Sequence, residues 1–167
     1  MIRLALHTDW PAIVRLLDQL DYPDTDKFME TRLAQLLNDP AEVLLVWEDD
    51  TAVKPDSADP DAGTPAPPGS RSALTTAPAP ILGFLSLHFI PQIALKGDFA
   101  RISYFSIDET ARSKGLGAQL EEHATQLARE RGCELIEVHC HTRREKAHAF
   151  YYRQGYEESP KYLVKRL

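Results

Sequence analysis

Residues 107–120 read Ile-Asp-Glu-Thr-Ala-Arg-Ser-Lys-Gly-Leu-Gly-Ala-Gln-Leu and join two segments of different periodicity. The preceding apolar run, residues 101–107, predicts a β-strand. The following residues place apolar side chains on one face of a predicted helix: Leu116, Leu120, Ala124 and Leu127. The first N–H groups of a helix have no partner within it, and the helix dipole favours negative charge there. This junction therefore predicts an anion site, such as one for a pyrophosphate.

Two glycines lie in the turn between the strand and the helix. Gly115 and Gly117 carry no Cβ, so a bulky phosphate can approach the backbone closely. Their spacing matches neither the Walker A pattern nor the Gly-x-Gly-x-x-Gly of dinucleotide-binding folds. Considered alone, the turn is explained equally well as a plain connection between a strand and a helix, and the rest of the chain must decide.

The composition is that of a globular protein. With 167 residues, 43% of them hydrophobic and 26% charged, the chain is expected to form one domain with a substantial core. A formal net charge of −6 argues against nucleic acid as a partner. No segment predicts a membrane span or a signal peptide. Cys133 and Cys140 lie at opposite ends of one predicted strand, too far apart for a disulfide, so a cytoplasmic location is expected.

The pattern of strands and helices predicts an α/β (α+β) fold. We expect a mixed, mostly antiparallel sheet of about seven strands flanked by four helices, in the order β-α-α-β-β-β-α-β-α-β-β. The last two strands are predicted at residues 156–158 and 161–165. Residues 51–80 are rich in Pro and Ala and are interpreted as a disordered insertion at the tip of a hairpin within the single domain 1–167.

This order and three local motifs resemble the GCN5-related N-acetyltransferase (GNAT) family. Its acetyl-CoA signature, Gln/Arg-x-x-Gly-x-Gly/Ala, is similar to Arg112-Ser-Lys-Gly115-Leu-Gly117, and Phe105-Ser-Ile107 resembles the apolar strand before it. The last helix, residues 147–156, resembles Ala-x-x-Phe-Tyr-x-x-x-Gly-Phe/Tyr. The second half is most similar to aminoalkylphosphonate acetyltransferases. Two features depart from the pattern: no acid lies between Arg101 and Ile107, and Asp108-Glu109 stands where relatives have a proline.

The resemblance implies acetyl-CoA as co-substrate and a set of residues that hold it. Pantetheine would lie along the predicted strand at Phe105, Ser106 and Ile107. The diphosphate would lie on the turn: Arg112, Ser113, Lys114, Gly115, Leu116, Gly117 and Ala118. The guanidinium of Arg112 and the ammonium of Lys114 would add positive charge. A solvated helix start is the alternative interpretation for these two side chains.

The resemblance also makes Tyr151 a candidate general acid for the departing thiolate. A thiol has a pKa near ~8.5 and a phenol near ~10, so a proton can pass between them. The general base is left open. His139 and His141 alternate onto one face of a predicted strand and suit neutral pH, while a structural role is equally consistent for each. Their His-x-His spacing lacks a third ligand, so no metal site is predicted.

Substrate selection is expected at the connector between the first two helices, as in relatives. Asp21 would attract an ammonium group, and Tyr22 and Tyr104 would wall the acceptor pocket. We expect an acetyl-CoA-dependent N-acetyltransferase for a primary amine of a small molecule, which could act as a homodimer. Two alternatives remain at this point: a protein lysine or N-terminal acetyltransferase, and a non-catalytic acetyl-CoA-binding module, which the missing strand carboxylate favours.

Overall fold

The computed structural model describes residues 1–50, 79–159, 163 and 165. Within these residues the chain forms a five-stranded sheet covered by helices on both faces. The strands are β1 (Ile2–Leu4), β2 (Glu42–Glu48), β3 (Ile81–Ile90), β4 (Phe99–Ile107) and β5 (Leu135–Val138). The helices are α1 (Trp10–Asp18), α2 (Met29–Leu37), α3 (Leu116–Glu130) and α4 (Glu145–Arg153). The predicted fold class and the four helices are confirmed.

The sheet has the strand order β1-β2-β3-β4-β5. β1 to β4 are antiparallel neighbours, and β5 runs parallel to β4 because α3 crosses over between them. β2 and β3 form the predicted pair, and the backbone N–H of Asp49 donates to the carbonyl of Pro80 at 2.9 Å. The prediction of a disordered insertion at residues 51–80 lies outside the described residues, except for its last two positions.

Alternation along the strands places apolar side chains on both faces of the sheet. Leu44, Val46 and Phe84 pack with apolar residues of α1 and α2. The adjacent positions Leu45 and Leu85 pack with α3. A sheet buried on both faces explains why β2 and β3 read as nearly continuous apolar runs in the sequence.

A β-bulge at Ser103 interrupts β4. The register pairs Leu87 with Ile102 and Ser86 with Tyr104, so Ser103 has no opposite residue on β3. The bulge shifts the alternation by one residue, so Ile102 and Phe105 both lie in the cluster packed on α3. Tyr104 consequently projects to the other face. Bulges of this kind redirect side chains and are common beside active sites.

Two details of the prediction are wrong. Among the described residues the sheet has five strands rather than about seven: residues 156–158 form no strand, and most of residues 161–165 lie outside the described part of the chain. The backbone N–H of Arg144 donates to the carbonyl of His141, and Arg144 is the N-cap of α4. β5 ends at Val138, before Cys140, because the chain leaves β4 there.

Candidate active site

β4 and β5 pair over only part of β4. The register runs from Phe99–Leu135 to Ile102–Val138 and stops at the bulge. Residues 103–107 of β4 continue without a β5 partner in the described part of the chain. We call this unpaired side of β4 the open seam. Its backbone N–H and C=O groups are available to an extended ligand that adds to the sheet edge.

The open seam leads into the predicted anion turn, residues 112–118. Among the described residues, no backbone N–H from Arg112 to Ala118 donates a hydrogen bond to another protein group. Ser113 and Gly115 have positive φ angles of 64° and 83°, and Gly115 is the N-cap of α3. Consecutive unpaired amides at a helix N-terminus form an anion site. The structure therefore brings together the turn residues that the sequence predicted.

The side chains of the anion turn divide between core and solvent. Leu116 is buried, and Ala118 and Gly117 are half-buried. Arg112 and Lys114 are exposed, and the Nε of Arg112 donates to the carbonyl of Ile107 at 3.0 Å. This bond folds the turn back onto the end of β4. The exposed Lys114 ammonium and the remaining guanidinium nitrogens of Arg112 can both contribute charge to a bound anion.

Gly117 sets how closely α3 approaches β4. A Cβ built at this position would lie 3.5 Å from the Phe150 ring and 3.6 Å from both the Phe105 ring and the Ile107 side chain. The rings of Phe105 and Phe150 are in edge contact at a centroid distance of 5.7 Å. The first turn of α3, the end of β4 and α4 therefore meet at Gly117. A larger residue would push the anion turn away from the open seam.

Asp108, which follows β4, anchors the turn to α1, and sequence reasoning missed this role. Its buried carboxylate forms an ion pair with Arg15 and accepts hydrogen bonds from the backbone N–H and the hydroxyl of Thr110 at 3.0 and 2.6 Å. The side-chain amide of Gln19 donates a hydrogen bond to the same carboxylate at 3.3 Å, and its oxygen accepts one from the backbone N–H of Glu109 at 3.0 Å. The Thr110 hydroxyl is the main reason that the pKa of Asp108 lies below its ordinary value, against the opposing effect of burial.

The candidate acid Tyr151 lies on α4 within a group of aromatic rings. Its ring contacts Phe150 at 5.2 Å and Tyr156 at 5.3 Å between centroids. The Tyr156 hydroxyl donates to the buried carboxylate of Glu121 at 3.0 Å. In the described part of the chain the Tyr151 hydroxyl has no hydrogen-bond partner. The ring is thus fixed while its polar end remains available.

The surroundings of Tyr151 keep its hydroxyl protonated. Burial raises its pKa above the ordinary value, and the nearby Cys140 and Glu121 act in the same direction. The positive charge of Arg144 opposes them. A proton donor must carry its proton at the working pH, and this environment satisfies that requirement.

Two cysteines without a disulfide, Cys133 and Cys140, are present in the described residues.

The predicted acceptor residues lie together on the other side of β4. Tyr22 and Tyr104 are in edge contact with ring centroids 5.4 Å apart, and both are exposed. Asp21 lies 3.4 Å from a guanidinium nitrogen of Arg143 and 3.8 Å from one of Arg144. The carboxylate of Asp21, which was predicted to attract an ammonium group, therefore already faces two cationic side chains. Sequence reasoning missed these arginines, since only the folded chain brings their loop against the connector after α1.

The two histidine candidates follow β5. His141 accepts a hydrogen bond at Nδ1 from the backbone N–H of Arg143 at 3.2 Å, and its carbonyl lies 3.1 Å from Nε2 of His148. His141 therefore helps to shape the loop before α4. His139 is exposed near the end of β5.

Ser106, a predicted pantetheine-binding residue, is buried on β4, and its hydroxyl has no hydrogen-bond partner among the described residues.

Two other kinds of site are absent from the described residues. No group of three or more His, Cys, Asp or Glu side chains is arranged to hold a metal ion. None of the described helices is both long and apolar enough to cross a membrane.

Comparison with known proteins gives a consistent result. Residues 61–156 match the acetyltransferase (GNAT) family. Over 79 residues the chain is 32% identical to the aminoalkylphosphonate N-acetyltransferase of Salmonella typhimurium, covering 47% of this chain and 51% of that protein. The chain thus matches about half the length of this curated relative.

Solved structures support the same fold. An acetyltransferase of Trypanosoma brucei is similar with a TM-score of 0.72 and 18% identity, covering 100% of this chain and 99% of the other. The ribosomal-protein-alanine N-acetyltransferase of Brucella melitensis is similar with a TM-score of 0.69 and 16% identity, over 100% and 99% of the two chains. At these identities the likeness concerns the fold alone.

Proposed function

Because the chain belongs to the GNAT family of acetyltransferases, we propose that it transfers an acetyl group from acetyl-CoA to the primary amine of a small molecule. The observation that carries this proposal is the open seam of β4 leading into the unpaired amides of the anion turn. An extended amide chain ending in a diphosphate fits that arrangement. The family supplies the chemistry, since acetyl-CoA brings an activated acetyl group as a thioester.

The residues of the chain have separable roles in this proposal. The backbone at Phe105, Ser106 and Ile107 would bind pantetheine, and residues 112–118 would bind the diphosphate. Tyr151 would donate a proton to the leaving sulfur. The sequence candidates for the base, His139 and His141, stay candidates: His139 is exposed near the parting of the strands, while His141 is engaged in its loop.

The acceptor would bind against the contact between Tyr22 and Tyr104. Arg143 and Arg144 place positive charge beside Asp21, which suits an amine that also carries an acidic group. The relative from Salmonella is named for aminoalkylphosphonates, which combine an amine with a phosphonate. We therefore propose such a zwitterionic amine as the first acceptor to test. A cytoplasmic location, a homodimeric state and the absence of nucleic acid partners are further parts of the proposal.

Calorimetry followed by a thiol-release assay tests the function. We expect acetyl-CoA to bind the purified protein and free thiol to appear with 2-aminoethylphosphonate or another small primary amine. The panel should include a lysine peptide and a peptide with a free N-terminus. Turnover of peptides alone would indicate the protein acetyltransferase. Binding of acetyl-CoA without turnover on any amine would indicate the binding module, and absence of binding would refute the whole proposal.

Replacement of Gly115 and Gly117 by valine should abolish detectable acetyl-CoA binding. Gly115 has a φ of 83°, which a β-branched residue rarely adopts, and at Gly117 valine meets Phe105, Ile107 and Phe150. Both changes displace amides that would face the diphosphate. We expect the dissociation constant to rise at least about 100-fold, because several charge-assisted hydrogen bonds of about 1.5–3 kcal/mol each are disturbed. Calorimetry measures it.

Gly132 provides the matched control for the two turn glycines. It also has a positive φ, 75°, but it follows α3 at the other end and has no atom within 4 Å of a built Cβ. Gly132→Val should lower the melting temperature and leave acetyl-CoA affinity unchanged. Equal affinity of the wild type and the Gly115/Gly117 variant would refute the assignment of the turn.

A further inference from the structure

A row of ionisable side chains crosses four strands of the sheet. The register places Glu42 of β2 opposite His88 of β3, His88 opposite Arg101 of β4, and Arg101 opposite Glu137 of β5. We call these four residues the charged row. Directly opposite residues have Cβ atoms about 4.5–5.5 Å apart, so neighbouring members can interact. Acidic, imidazole, basic and acidic groups therefore follow one another across the sheet.

The charged row lies on the acceptor side of the sheet. Its strand positions alternate with Leu87, Ile102 and Val138, which pack in the α3 cluster. The row is therefore on the opposite face, as is Tyr104 beyond the bulge. Arg101 and Glu137 lie one residue before the last β4–β5 pair, Ile102–Val138. The Arg101–Glu137 end of the row thus lies next to the point where the two strands part. His88 lies about two residues or 7 Å along β3 from the Ser86–Tyr104 pair.

The two ends of the charged row differ. Arg101 and Glu137 form a closed ion pair, with Nε and Nη2 of the arginine 2.7 and 2.6 Å from the same carboxylate oxygen. At the other end, Nδ1 of His88 lies 2.6 Å from Oε1 of Glu42. This contact is close but not aligned as a hydrogen bond: His88 Nδ1 and Glu42 Oε2 are both buried atoms without a hydrogen-bond partner in the described residues. Buried polar atoms left unsatisfied require an explanation.

The carboxylate of Glu42 is largely buried beside His88. Its side chain is 12% exposed, and burial raises its pKa above the ordinary value. The charge of His88 opposes this effect, whereas Asp39, in the turn before β2, adds to it. The groups facing His88 are therefore Glu42 from β2 and Arg101 from β4, with Glu137 neutralising Arg101 from β5. The ring itself is about one-third exposed, at 36%, so a proton can reach it from solvent.

N-acetylation requires such a group. At pH 7 only about 0.04% of an alkyl amine with a pKa near 10.4 is neutral. Conversion of an ammonium to an amide releases two protons as the N–C bond forms and the C–S bond breaks. One proton restores the leaving thiol through the general acid. The other must pass from nitrogen to a base and then to water.

We propose that His88, held by Glu42, is the base that takes the proton from the acceptor ammonium, directly or through one water. This assignment rests on the proposed function and names a residue outside the His139 and His141 candidates. Glu42 acts as a positioning residue, because it faces the imidazole and not the acceptor space. The missing carboxylate on β4 is then no obstacle, since the base is supplied by the neighbouring strand.

The pH dependence of kcat/KM tests the assignment with 2-aminoethylphosphonate, or with the amine that gives the highest turnover in the acceptor panel. The wild-type profile should rise with pH and then level off once the base has lost its proton. His88→Gln should lower kcat/KM at pH 7 about 100-fold. Its profile should lose this inflection and keep rising with the neutral fraction of the amine. Acetyl-CoA affinity and melting temperature, measured in parallel, should be unchanged.

Glu42→Gln and His123→Gln complete the set of variants. In Glu42→Gln the imidazole loses the carboxylate beside it, so kcat/KM should fall, but by less than in His88→Gln. His123 is exposed on α3, on the other face of the sheet, and His123→Gln should behave as the wild type. A normal inflection in His88→Gln, or its loss in His139→Ala or His141→Ala instead, would overturn the assignment while leaving the proposed function intact. No turnover with any amine would overturn both.

Discussion

Asp108→Ala should destabilise the protein by about 3 kcal/mol, the range expected when one member of a buried, hydrogen-bonded ion pair is removed. The Asp108 residue is 5% exposed, and its carboxylate accepts hydrogen bonds from Arg15, Gln19 and both donors of Thr110. Its loss leaves these donors without a partner. For a chain of this length the melting temperature should fall by roughly 6–12 °C. Thermal and urea unfolding followed by circular dichroism measure the change.

The same substitution should weaken acetyl-CoA binding. Asp108 connects the end of β4 to α1, and Arg15 also donates to the carbonyl of Ile81 at 2.7 Å. Without this anchor the first residues of the anion turn are less ordered, so part of the binding free energy must be used to order them. We expect about a tenfold rise in the dissociation constant at a temperature where the variant is folded.

The pH dependence of stability separates this anchor from a general packing effect. The folded-state pKa of Asp108 is depressed, so its contribution is fully present above the ordinary aspartate value of about 3.9 and is lost as the pH falls through the folded value. The stability difference between wild type and Asp108→Ala should therefore be constant near neutrality and narrow below about pH 4. Glu122→Ala, which breaks an exposed pair with Arg129, should cost less than about 1 kcal/mol. Equal effects of the two substitutions would contradict the anchoring role.

The fold could be predicted from the sequence wherever the signal is local. The strand at residues 101–107 and the helix that follows the turn were predicted from apolar periodicity, and β4 and α3 lie there. The connection between this strand and helix was also predictable, because its glycines and its flanking periodicities lie within a short stretch. The turn at His141–Arg144 was not predicted, because it is closed by a backbone hydrogen bond that side-chain spacing does not indicate.

Long-range contacts of the candidate site could not be predicted in the same way. Asp108 and Arg15 are separated by 93 positions, and Arg144 and Leu20 by 124. Sequence spacing carries no information about such pairs. The charged row likewise depends on the strand registers and on the bulge at Ser103, and a shift of one residue would move its members to the other face. The sequence showed that Asp108 departs from the family pattern, but it did not show that this carboxylate forms an ion pair with Arg15.

Tyr151→Phe should lower kcat by about 100-fold or more while leaving acetyl-CoA affinity unchanged. The variant keeps the ring that contacts Phe150 and Tyr156, and the lost hydroxyl has no hydrogen-bond partner in the described part of the chain. Stability should therefore be nearly unaffected. The substitution removes only the hydroxyl proton that Tyr151 would donate to the leaving sulfur. Pre-steady-state and steady-state thiol release, together with calorimetry for acetyl-CoA, measure the separate steps.

Tyr152→Phe is the matched control, because Tyr152 is the next residue on the same helix and its exposed hydroxyl donates to Glu158 at 2.7 Å. It should retain wild-type kcat.

The environment of Tyr151 also predicts how the rate depends on pH. Burial raises the pKa of Tyr151 above the ordinary value of about 10, so its loss of a proton should not limit the rate up to at least that pH. Wild-type turnover in Tyr151→Phe, or an equal loss in Tyr152→Phe, would remove Tyr151 as the donor and leave its ring a packing role between α4 and α3.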